Sequence, residues 1–120
     1  MANSKRTEGI GRPAASDLRE KLLHFGKLVT GEKIDVAGAG EEGFILEEVA
    51  NIGQHVTIAM IGIGKVKLGG NVAIMAPLKP DAAGKAVTAV AGNKYSAKAL
   101  QAGVTGDIVE VLIERGTLPA

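Results

Sequence analysis

Few residues in this sequence are of the types that perform chemistry, and their spacing argues against each chemistry in turn. Gly38-Ala39-Gly40-Glu41-Glu42-Gly43 reads G-x-G-x-x-G after a plausible strand, the pattern that seats a dinucleotide pyrophosphate on a helix N-terminus. Glu41 and Glu42 would repel that pyrophosphate. The acidic residue that should follow about 20 positions on to hold a ribose is also missing, since none occurs between Glu48 and Asp81. Gly64-Lys65 begins like a phosphate-binding loop, yet Val66 stands where Ser or Thr is required. His24 and His55, the two histidines, have no carboxylate or second histidine at metal-ligand spacing. Glu41-Glu42 and Glu47-Glu48 are adjacent pairs, and neighbours on a strand point to opposite faces, so neither makes an acid–base dyad. Ser4, Ser16 and Ser96 lie outside any G-x-S-x-G elbow. With no cysteine, thiolate zinc sites, iron–sulfur clusters, disulfides and cysteine catalysis are excluded. The expectation is a chain with no catalytic, cofactor-binding or metal-binding residues, and not an enzyme.

The elements that would position any site read as strands. Lys33–Val36 alternates polar and apolar residues, the glycine-rich stretch to Gly43 is a turn, and Phe44–Leu46 resumes an apolar run. Val56–Ile63, rich in β-branched residues, is the strongest strand signal and belongs in the core. Lys65–Leu68 alternates and runs into Gly69-Gly70-Asn71, after which Val72–Met75 is apolar again, a hairpin pattern. Pro77 and Pro80 punctuate the next stretch, the residues from Asp81 to Gly84 make a tight turn, and Lys85–Val90 alternates. Tyr95–Ala102 reads as a strand despite its alanines, being too short for a stable helix. Asp107–Glu114 is a strand with Val109, Val111 and Ile113 on one face and Glu110 and Glu114 on the other. At the other end, Asp17 with Glu20 resembles a capping box, but no apolar stripe persists past Gly26, so one helical turn should run into a strand. Seven or eight short strands predict an all-β fold, a small barrel or sandwich.

The only three aromatic side chains are Phe25, Phe44 and Tyr95, so the core must be aliphatic. Seventeen glycines without a triplet period mean many turns. A net charge of +1 creates no field that would draw nucleic acid or an anionic membrane. The 120 residues make one domain, residues 17–120, preceded by an arm, residues 1–16. The arm holds Lys5, Arg6 and Arg12 against Glu8, with Ile10 its single large apolar residue. Such a segment is flexible or is ordered only by a partner. The arm lacks the apolar run of an exported leader and no stretch is long enough to span a bilayer, so a cytoplasmic setting is expected. A domain of this size gains from oligomerisation.

The order of segments from Asp17 onward resembles the capsid cement, or head decoration, proteins of tailed bacteriophages. Asp17-Leu18, Lys27-Leu28 and the acidic-glycine loop around Gly40 carry the first part of the resemblance. Val56-Thr57-Ile58, Lys65-Val66-Lys67, Gly69-Gly70, Pro77-Leu78 and the run from Asp81 through Val87 carry the middle. Ala99-Leu100 and the run from Gly106 through Ile113 complete it, over roughly residues 17–116. The resemblance implies a β-barrel or tulip-like body that binds the outer surface of a phage head as a homotrimer. There it stiffens the shell against packaged DNA, with the major capsid protein as partner. By the same likeness, the arm is the candidate capsid contact through Lys5, Arg6, Ile10, Arg12 and Pro13, although the arm itself and Arg19-Glu20-Lys21 depart from the simplest family members. The alternative reading is another phage structural or adaptor module, or a carbohydrate-binding β module, on the virion surface.

Overall fold

A computed structural model describes residues 7–120. Nine strands follow in order: β1 (Thr7–Pro13), β2 (Phe25–Val29), β3 (Lys33–Val36), β4 (Phe44–Glu48), β5 (His55–Lys67), β6 (Pro77–Pro80), β7 (Ala86–Thr88), β8 (Lys94–Ala99) and β9 (Ile108–Thr117). The all-β expectation holds. Every ladder is antiparallel, and the strands form one open sheet in the order β3-β2-β4-β5-β9-β8-β6-β7, with β1 added to β5.

β5 organises this sheet. Its first half pairs with β1 and β4, and its second half pairs with β9, Ile63 opposite Leu112 through Lys67 opposite Ile108. The sequence pattern divides this stretch into a strand over Val56–Ile63 and a hairpin starting at Lys65; the structure instead keeps one strand of 13 residues. Glycine at 62 and 64 does not end the strand, because partners on each half keep the backbone hydrogen-bonded. Nor does Val72–Met75 fold back on Lys65–Leu68. Gly69 donates instead to the Ala86 carbonyl, and Val72 bridges Gly103.

Each half of the sheet curls until single bridges draw its edges together, Ala14 with Ile34 on one side and Leu68 with Ala86 on the other. Two cores result. One gathers Ala14, Leu18, Ile34, Leu46, Val56 and Ile58; the other is built around Phe25, Ile45, Val66, Leu78 and Val111, with four buried alanines among the strands. β5 feeds both cores because Glu8 pairs with Ile61 while Gly9 pairs with Ala59, leaving Met60 as an extra residue. That bulge reverses the alternation, so Val56 and Ile58 enter one core and Ala59 and Val66 the other.

The segment before β2 turns twice, Lys21 donating to the Leu18 carbonyl and His24 to that of Lys21, before extending at Phe25. Asp17 makes no capping box with Glu20. Its carboxylate accepts from the Arg19 backbone N–H at 3.1 Å and from the Arg19 guanidinium at 2.8 and 2.9 Å, which holds the Asp17 pKa down at about 2.

Candidate docking site

The residues that the sequence reading places at a contact surface divide between two regions. Lys5 and Arg6 lie outside the described residues, and Ile10, Arg12 and Pro13 lie on β1. The sequence reading places residues 1–16 together as an arm; in the structure Thr7–Pro13 is a strand in register with β5, Pro13 standing opposite His55. Local composition carries no signal for this pairing, because the pattern Thr-Glu-Gly-Ile-Gly-Arg-Pro has too little apolar surface to mark a strand by itself. The signal lies in Gly9. A Cβ on Gly9 would coincide with the Ile58 carbonyl, so this position brings β1 against the β5 backbone more closely than any side chain allows, whereas one on Gly11 would meet only the exposed His55 ring, which can turn aside.

Three further contacts tie β1 down. Thr7 is buried, and its hydroxyl donates to both Glu47 carboxylate oxygens at 2.9 and 3.0 Å. Ile10 is half-buried against the core of Val56 and Ile58. Past the strand, Ala14 donates to Gln54 and Ala15 to Ile34. Beside the bulge lies an open groove of about 370 Å³ lined by Glu8, Gly9, Ile10, Met60, Ile61 and Arg115. The Arg115 guanidinium stacks 3.7 Å from the centre of the Phe44 ring and donates to the Gly43 carbonyl at 3.3 Å. Partial burial lowers its pKa, while Glu42 pulls it up. Groove and strand together carry Glu8, Arg12 and Arg115 as their charged groups beside the apolar Ile10, Met60 and Ile61.

The other candidate groups are engaged structurally. Glu41 accepts from Lys27 at 2.9 Å and from the Gly38 N–H, so the carboxylate occupies the donor that a bound phosphate would need; the Lys27 hydrogen bond is the main reason its pKa is lowered. Glu48 accepts from the Thr57 hydroxyl at 2.6 Å, away from the Glu47–Thr7 pair. Ser16 donates to Asp35 at 2.7 Å, and buried Ser96 accepts from the Gly43 N–H at 2.9 Å. Among the described residues, no group of three or more His, Cys, Asp or Glu side chains could hold a metal ion.

His24 is buried, its Nδ1 within 3.1 Å of the Leu22 carbonyl, which assigns the proton to that nitrogen. Burial is the main cause that lowers its pKa, with Lys21, Lys85 and Lys67 adding to it and the Leu22 hydrogen bond opposing it. Because the folded value is depressed, the unfolded chain takes up this proton first as pH falls below about 6.5. Stability should therefore decline from pH 7 downward until the folded imidazole also titrates. The expected result is that His24→Gln, which can keep a donor to Leu22, flattens the pH dependence of the melting temperature between pH 7.5 and 5.5; an equal decline in both proteins would refute it.

No known protein family matches the chain, and no curated protein does. Among solved structures it shares its fold with a β domain of a phage head appendage. That domain is the N base of the head fiber gp8.5 of bacteriophage phi29, with a TM-score of 0.74 and 16% identity, covering 95% of this chain and 99% of that one.

Proposed function

We propose that this chain is a structural protein of a tailed-phage head, attached to the outer surface of the capsid as a homotrimer and stiffening the shell, with no enzymatic step. The observation that carries the reading is the shared fold with the phi29 head fiber base over nearly the whole of both chains. The ordered segments that resemble cement proteins support it separately. So does the engagement of the polar side chains: no buried polar side-chain atom among the described residues lacks a hydrogen-bond partner, as suits a rigid body whose function lies on its outside.

Self-association is supported by β9. Val109 and Val111 face the core, yet Ile108 and Leu112 on the opposite face are 53% and 38% exposed. On that face they alternate with Glu110 and Glu114, so a contact between copies there would join two exposed apolar side chains to a charged surround. Many weakly bound copies on one shell then act together through avidity.

Lys5, Arg6, Arg12 and Pro13 are the proposed capsid contacts, with Ile10 anchoring the strand that presents them. The position of β1 determines how this is tested. Deleting residues 1–15 would remove a strand, whereas deleting residues 1–6 leaves β1 in place. The full chain is expected to sediment as a trimer and to bind mature heads that lack it. The shortened chain should keep its melting temperature and bind at least about tenfold more weakly, equivalent to about 1.4 kcal/mol. Unchanged binding after the deletion would remove Lys5 and Arg6 from the contact, and a full chain that ignores heads would overturn the reading itself.

A further inference from the structure

His24 is 4% exposed, and its Nδ1 is committed to the Leu22 carbonyl. Its Nε2 has no hydrogen-bond partner among the described residues. Since no fully buried side-chain nitrogen or oxygen there lacks a partner, Nε2 opens to solvent.

Lysines surround this edge of the ring. Leu23 accepts from the Lys67 N–H at 2.9 Å, Phe25 donates to the Gly84 carbonyl at 2.6 Å, and His24 itself donates to the Lys21 carbonyl at 3.0 Å. The segment is thus tied to the end of β5 and to the turn that leads into β7. Leu68 and Ala86 form a parallel bridge with both side chains buried, so the residues before them, Lys67 and Lys85, stand side by side and point the other way. Besides burial, the main cause, the charges of Lys21, Lys85 and Lys67 all oppose protonation of the imidazole.

These lysines lack a counter-charge. Each is half-buried, and none makes an ion pair or a side-chain hydrogen bond among the described residues. The carboxylates of the adjoining elements are engaged elsewhere: Asp81 accepts from the backbone N–H groups of Ala83 and Lys85, Glu47 from Thr7, Glu48 from Thr57, and Asp17 from Arg19. Glu20, next to Lys21, is exposed, as is Lys65 on β5. Three like charges gathered at one buried histidine repel one another, and an anion seated among them relieves that repulsion.

We propose that His24 Nε2 and the Lys21, Lys67 and Lys85 ammoniums receive the carboxylate of an Asp or Glu side chain on the protein surface of the phage head. This rests on the function proposed above and supplies a contact separate from the basic arm. The bound carboxylate accepts from the ammoniums and, once the imidazole is protonated, from Nε2–H. Docking therefore draws a proton onto His24 and tightens as pH falls. A nucleic acid is disfavoured, because a chain of net charge +1 offers no basic track for a run of phosphates and Glu20 adjoins the cluster.

The test measures binding to mature heads lacking this protein between pH 7.5 and 5.5, alongside thermal melting and sedimentation. It compares the full chain with His24→Gln, Lys67→Gln/Lys85→Gln and Lys67→Arg/Lys85→Arg. Binding of the full chain is expected to tighten at least about fivefold as pH falls, and His24→Gln to lose that tightening. The glutamine pair should bind at least about tenfold more weakly without melting lower, and the arginine pair should bind as the full chain does. If the full chain binds heads, and His24→Gln and the glutamine pair match it throughout, only this inference falls. If the full chain does not bind heads, this inference falls together with the function it rests on. If the glutamine pair instead dissociates the oligomer, the carboxylate belongs to a second copy of the chain, and if it loses binding to a DNA duplex while keeping heads, the occupant is a phosphate backbone; either result overturns the proposal.

Discussion

Gly9→Ala is expected to release β1 from the sheet. The added methyl would fall on the Ile58 carbonyl oxygen and within 2.9 Å of Ala59 Cα, and these are backbone atoms of the strand that holds the molecule together. Neither side can yield as a side chain would, so β1 must lift off along its length. The expected cost is about 3 kcal/mol, the upper end for overpacking. It would appear as a lower urea midpoint, rapid hydrogen exchange at the amides of residues 7–13, and new proteolysis before Ala14. Gly70→Ala is the matching control, because a Cβ there meets only Val87 Cγ1 at an ordinary 3.6 Å and φ is not positive. If Gly9→Ala melts with the wild type while β1 amides remain protected, the close approach of β1 to β5 is wrong.

Phe25→Ala should be more damaging still. Phe25 is 1% exposed, and among fully buried residues its side chain is the largest. It opens β2 opposite Ile45, and its backbone links three segments: its N–H donates to Gly84 and its carbonyl accepts from Ala37. Gly43 lies against the ring so closely that a Cβ there would sit 2.8 Å from the Phe25 Cβ. Truncation leaves a cavity lined by neighbours already tied in ladders and turns, so little collapse can compensate. A loss of about 3–5 kcal/mol is expected, against a total of about 5–15 kcal/mol for a domain. Calorimetry or urea denaturation would show it, and a loss below about 1 kcal/mol would mean that this aromatic is not central to the core.

How far the fold was legible varies with the range of the interactions that made each element. β3 is found at the residues its alternation marks, Lys33–Val36, and β8 and β9 fall within two or three residues of their predicted bounds. In all three the signal is local: alternation marks β3 and β9, and for β8 it is a segment too short and too poor in apolar residues to make a helix. Glycine reads as a breaker in β5, and only pairing with β9 shows that the strand runs on through Gly62 and Gly64. β7 shrinks to three residues, since only Ala86–Thr88 finds a partner in β6. The proposed contact residues were less legible. Ile10, Arg12 and Pro13 can be named as surface candidates, but no alternation near them announces a strand, and nothing local announces the groove shared with Arg115, 105 positions after Ile10. Ile108 and Leu112 were hidden by the clean alternation of their neighbours, which draws attention to the inward face.

By itself, the sequence determined the class of the fold, the aliphatic character of its core, the turns, and the poverty of catalytic groups, because composition and nearest-neighbour alternation act before any long-range contact forms. Tertiary structure alone decided that residues 7–13 join the sheet and that β5 serves two cores through the bulge at Met60. Each of these depends on which distant backbone supplies the hydrogen-bond partner, and that choice is made by packing across the whole chain.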